Sequence, residues 1–188
     1  MDYETKPVSR HDLRKFAPEF RMMFHVPLTG PLPVMQLLDK FADVFPGSNY
    51  QIVEDSDLPP RTMALCEIND DGGYTIEIKE SVYTGACGTS CGPNPGFICH
   101  EICHAFLLSK GYTPLRPIEH SGVKIPAYCS MEWQAKALCG EVMIPYEESI
   151  GMSEETLVAT YHVSWAFAEY RCRMGNKTLS TPLDGDAE

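Results

Sequence analysis

The stretch Phe97-Ile98-Cys99-His100-Glu101-Ile102-Cys103-His104-Ala105-Phe106-Leu107-Leu108-Ser109-Lys110 decides how this chain is read. It is apolar and composed largely of helix-compatible residues, and Gly111 follows as a natural stop, so the pattern predicts one helix over 97–110. Inside it lies His100-Glu101-Ile102-Cys103-His104, an H-E-x-x-H sequence. Residues four apart on a helix share a face, so both imidazoles can reach one ion at about 2.0–2.1 Å, while the intervening glutamate addresses a metal-bound water. The motif also arises by chance on solvated helices. Here Ile98, Ile102, Ala105, Phe106, Leu107 and Leu108 surround the polar trio, and burying two histidines and a glutamate among them without a metal would be costly.

Two imidazoles do not complete a catalytic zinc site, which takes three protein ligands and keeps a fourth position for water. Glu132 is the leading candidate for the third, because it sits near the start of a second predicted helix, Ser130 to Met143, and can turn inward as that helix packs across the first. Glu141 and Glu119 compete with it. Glu141 lies in the apolar run 137–144, where a carboxylate either needs a partner or faces outward. His120, in the Pro-rich connection, is a weaker rival. Glu101 is the candidate general base. Tyr128, His120 and Tyr112 lie between the two helices and are candidates to stabilise an oxyanion.

Upstream, Val34 to Phe41 has helical spacing and is stopped by Pro46-Gly47. Tyr50 to Glu54 and Met63 to Ile68 read as short strands separated by Pro59-Pro60. Asp70-Asp71-Gly72-Gly73 is hairpin chemistry, and Tyr74 to Lys79 alternates as a half-buried strand does. Gly85 to Gly96 reads as a loop. Downstream, Glu154 to Met174 has a helical period broken near His162 to Ser164, followed by a polar tail expected to fray. These pieces predict an α+β fold, with a short, mostly antiparallel sheet packed against the H-E-x-x-H helix and a second ligand-bearing helix. The divisions expected are an N-terminal extension over 1–33, a metallopeptidase domain over 34–150, a helical element over 151–175 and a flexible tail over 176–188.

The chain has 188 residues and a net charge of -11, a balance opposed to binding phosphate backbones, which draws on clustered Lys and Arg. No apolar run of secretory or membrane-spanning length follows the polar start Met1-Asp2-Tyr3-Glu4, so the expected location is the cytoplasm, with no membrane partner. In that compartment the eight cysteines are expected to be mostly thiols, with the redox state of the loop cysteines left open. Cys66, Cys139 and Cys172 then read as small core fillers.

Several segments, in order, resemble the ImmA/IrrE family of metallo-endopeptidases. Ile76 to Tyr83 resembles its strand-to-loop entry and His100 to His104 its zinc helix. Pro126-Ala127-Tyr128 leads into Glu132-Trp133-Gln134-Ala135-Lys136-Ala137-Leu138, similar to the family's E-x-x-A-x-x-F-A helix, and on to Met143-Ile144-Pro145. Tyr161-His162-Val163-Ser164 with Ala166 and Arg171 resembles its C-terminal helical element. The likeness covers roughly residues 34–174. It implies a zincin-like, gluzincin-type peptidase with Zn2+ held by His100, His104 and Glu132 and with Glu101 as base. It also implies a protein substrate, a helix-turn-helix repressor whose removal releases transcription, often in mobile elements. Cys99 and Cys103 depart from the small residues usual there, and Leu138-Cys139 from Phe-Ala. The cysteines beside the ligands raise the prospect of redox sensitivity.

Three other readings compete. Cys87, Cys91, Cys99 and Cys103 form a C-x3-C-x7-C-x3-C array for a structural metal or cluster, although using Cys99 and Cys103 would rotate the helix away from its His pair. Residues 156–174, with Arg171 and Arg173, form a possible DNA-contacting helix pair, against which stand Glu154, Glu155, Glu169 and the acidic total. The same fold also suits a non-proteolytic binding protein of the toxin-antitoxin kind.

Overall fold

The computed structural model describes residues 2–88, 92–118 and 125–180, with side chains to 174. Helix α1 (Arg10–Met23) starts at Ser9, whose hydroxyl accepts the Asp12 amide at 3.1 Å. Leu13, Ala17 and Phe20 fall on its inner face at helical spacing and are buried. The predicted helix from Val34 is two short ones, α2 (Val34–Asp39) and α3 (Phe41–Val44), with Lys40 at the break. Lys40 Nζ is drawn off to the Phe24 carbonyl at 2.9 Å.

Strands β2 (Asn49–Val53), β3 (Ala64–Ile68) and β4 (Tyr74–Lys79) form one sheet in the order β2-β4-β3. A two-residue strand, β1 (Tyr3–Glu4), pairs antiparallel with β5 (Arg116–Pro117) elsewhere. The Asp-Gly turn closes the β3–β4 hairpin as expected, with Gly72 at φ +87° and the Asn69 amide on the Gly73 carbonyl at 2.8 Å. Gly73 is fixed by a close approach, since a Cβ there would lie 2.2 Å from the Gly47 carbonyl oxygen. One expectation needs correction. β2 runs parallel to β4, so the central sheet is mixed rather than mostly antiparallel. The connection after β2, carrying Pro59 and Pro60, is long enough to place β3 on the far side of β4 and leave β2 parallel.

Helix α4 (Glu80–Gly88) continues directly from β4, so residues 85–88 are helical rather than loop. Helix α5 (Asn94–Ser109) carries the H-E-x-x-H sequence and packs against β3 and against α6 (Met131–Met143). Ser130 caps α6 by accepting the Trp133 amide at 3.0 Å. Beyond Pro145 come α7 (Tyr146–Ser149), α8 (Glu154–Tyr161) and α9 (Trp165–Ser180). The α8–α9 break falls at His162, at φ +57°, where the pattern predicts it. α9 runs through Gly175 to Ser180, past the expected start of the tail.

One apolar core joins Leu13 and Phe20 of α1 to Ile76 and Ile78 of β4, Ile98, Ile102 and Phe106 of α5, Leu138 and Val142 of α6, and Leu157 and Ala168 of the last two helices. Residues 1–33 therefore build the core rather than extend from it: Phe20 packs edge-on to Phe106 with centroids 5.4 Å apart, and Arg21 spends its guanidinium on the carbonyls of Val142, Pro27, Thr29 and Gly30. Among the described residues no helix is long and apolar enough to cross a membrane.

Candidate metal centre

Helix α5 places the two histidines of the motif on one face, and α6 crosses it with Glu132 in its first turn. The three side chains converge. His100 Nε2 lies 3.2 Å from His104 Nε2 and 3.3 Å from Glu132 Oε2, and His104 Nε2 lies 3.4 Å from Glu132 Oε1. Four-coordinate zinc, with bonds of about 2.0–2.1 Å, sets tetrahedral ligand atoms roughly 3.3–3.4 Å apart. The donors already stand at that spacing, so this cluster can hold a metal ion.

The cluster is reached from one side. Glu132 leaves 52 % of its side chain exposed, His100 22 % and His104 11 %. Burial opposes a charge on His100, but the bond to Glu132 and the neighbouring Glu101 outweigh it and raise its pKa to about 9. Glu132, bonded to both imidazoles, is held well below the ordinary carboxylate range.

Glu101 points off the same turn toward β3. Its Oε2 accepts the Cys66 backbone amide at 2.9 Å, which fixes the carboxylate against the outer edge of the sheet. Burial pushes its pKa up, against the pull of the two histidines.

The rivals for the third ligand fall elsewhere. Glu141 neither faces solvent nor joins the cluster: its fully buried carboxylate meets Arg171 Nη1 at 3.1 Å, Arg14 Nε at 3.2 Å and Arg10 Nη1 at 3.5 Å. Glu119 and His120 lie outside the described residues. Tyr128 gives its carbonyl to the Val8 amide and to Gln134 Nε2, and lines with Tyr112 and Trp133 a pocket of about 460 Å3 whose walls include none of the three donors.

The competing arrays are also placed. Cys91 lies outside the described residues and Cys87 is exposed, whereas Cys99 and Cys103 turn inward to meet Cys139 of α6. The seven described cysteines are all thiols. Arg171, considered above as a DNA contact, is buried on Glu141.

Two features escaped the sequence reading. Asp2 binds the start of α6, with Oδ2 accepting the Ser130 hydroxyl at 2.6 Å and Oδ1 the Glu132 amide at 3.2 Å, and no local pattern announces a contact across 130 residues. The approach of Cys139 had a signal, since it stands two helical turns after Glu132 and so on the same face of α6.

Compared with known proteins, the chain matches no family profile and no curated protein. The site therefore defines only a class, an α+β protein in which two packed helices bring together three donors that could hold a metal ion.

Proposed function

We propose that the chain is a zinc-dependent endopeptidase on a zincin-like fold, of the ImmA/IrrE kind that its sequence resembles. Its substrate would be a cognate protein, by that resemblance a helix-turn-helix repressor. The observation that carries this reading is the 3.2–3.4 Å triangle of His100, His104 and Glu132 donors with a buried carboxylate, Glu101, on the same helical turn.

A zinc ion held by these three residues would supply Lewis acidity toward a scissile carbonyl and toward a bound water. Glu101 takes the proton of the attacking water and passes it to the departing amine. Its burial suits this, because desolvation raises the proton affinity of the carboxylate above that of an exposed one. The Cys66 amide keeps that carboxylate from swinging away.

Co-expression with the product of the neighbouring gene, followed by mass spectrometry of its fragments, tests the reading. Cleavage by the zinc-loaded protein that disappears in Glu101→Gln is the expected result. A partner that binds and stays intact would show a binding role on the same fold instead.

A further inference from the structure

The helix pair that carries the histidine-glutamate triangle carries a second cluster of three donors. Cys99 and Cys103 of α5 and Cys139 of α6 bring their sulfur atoms within 4.8 Å of one another. The residues are 0 %, 0 % and 3 % exposed. Cys99 and Cys103 directly precede His100 and His104, and Cys139 stands two turns after Glu132, but all three are buried in the core.

From this geometry we propose that Cys99, Cys103 and Cys139 form a separate all-sulfur site for a soft, low-coordinate cation, the cuprous ion.

Three arguments select that ligand. Apolar filling alone explains buried cysteines, but it does not require three sulfurs from two helices to meet at one point. Soft thiolates select cuprous, zinc or iron-sulfur centres over hard cations. Structural zinc takes four ligands, and among the described residues no fourth cysteine, histidine or carboxylate joins this group. A trigonal sulfur environment of this kind satisfies a monovalent copper ion and leaves zinc one ligand short.

Binding converts three S–H groups to thiolates, releases three protons to solvent and forms three copper–sulfur bonds, leaving the cluster at about -2 by formal charge counting.

The site does not depend on the peptidase reading, and it is tested without any substrate. The full-length protein, first loaded with one equivalent of zinc, is titrated anaerobically with cuprous ion against a chromophoric cuprous chelator. One equivalent of copper should bind with zinc retained, and X-ray absorption should show a sulfur-only shell around it. Cys139→Ala and Cys139→Ser should each weaken copper binding by more than the roughly 10–100-fold that an outer-shell partner is worth. The serine variant is close in shape to cysteine, so a folded, copper-free Cys139→Ser excludes loss of structure as the cause. Cys87→Ser should bind as wild type does. Copper that binds equally to wild type and Cys139→Ser, or copper lost in His100→Ala, overturns the proposal. So does nitrogen in its coordination shell, or a second zinc taken up at the cysteines in place of copper.

Discussion

Asp2 holds the first turn of the helix that presents Glu132: one carboxylate oxygen accepts the Glu132 amide at 3.2 Å and the other the Ser130 hydroxyl at 2.6 Å. The extreme N-terminal segment thereby sets the position of the third donor. Strand β1 secures that segment on β5, and buried Gln134 binds the Lys6 carbonyl at 2.8 Å. A carboxylate at a helix N-terminus also complements the helix dipole.

Asp2→Ala should therefore weaken metal binding while the fold persists. Losing an N-terminal cap costs about 1 kcal/mol, which is roughly fivefold in affinity if it falls on the placement of Glu132. Competition against a zinc chelator measures it, and an affinity equal to wild type would separate Asp2 from the site.

Glu101→Gln keeps a side-chain oxygen to accept the Cys66 amide, so it should bind zinc as wild type does. Hydrolysis should fall by about 100- to 10,000-fold, the usual contribution of a positioned general base. Zinc stoichiometry and turnover of a cleaved partner, measured on the same preparation, check both halves.

The metal-free protein should show an ion pair between His100 and Glu132 that depends on pH. His100 is raised from 6.5 to about 9, so its contribution to stability is complete below pH 6.5 and is lost as pH climbs through about 9. Glu132 is depressed, so its contribution is complete above its ordinary 4.5 and is lost on acidification below that. Chemical denaturation at pH 6 and pH 9.5 should show a larger loss for wild type than for Glu132→Gln. Zinc affinity should rise about tenfold per pH unit between roughly 7 and 9, as the ion displaces the His100 proton.

Glu141→Ala should be among the most damaging substitutions in the chain. It removes the one carboxylate shared by Arg10, Arg14 and Arg171, whose side chains are only 10 %, 15 % and 5 % exposed. Breaking a buried pair in this way costs about 3–5 kcal/mol. Urea unfolding gives the figure, and a loss under about 1 kcal/mol would show that water reaches the arginines.

Much of the local structure was legible because it is written at short range. The strand Tyr74 to Lys79, with Ile76 and Ile78 inward, follows from neighbours in sequence, and so do the extent of α6, the Gly72 turn and the break at His162. The extent of α4 was hidden because Gly85 and Gly88 read as loop residues. Gly85 is helical where Asn94 packs so close that an added Cβ would meet its side-chain nitrogen at 2.0 Å.

The sequence by itself determined that His100, Glu101 and His104 share one helix and that two of them can meet a single ion, because a 3.6-residue period fixes faces within an element. Only the tertiary structure decided that Glu132 completes the triangle while Glu141 belongs to three arginines, that β2 runs parallel to β4, and that Asp2 and Cys139 reach the places they do. Each of those depends on which elements pack together across long stretches of chain. Side-chain spacing within a helix cannot encode that choice, since burial of one contiguous core selects the pairing.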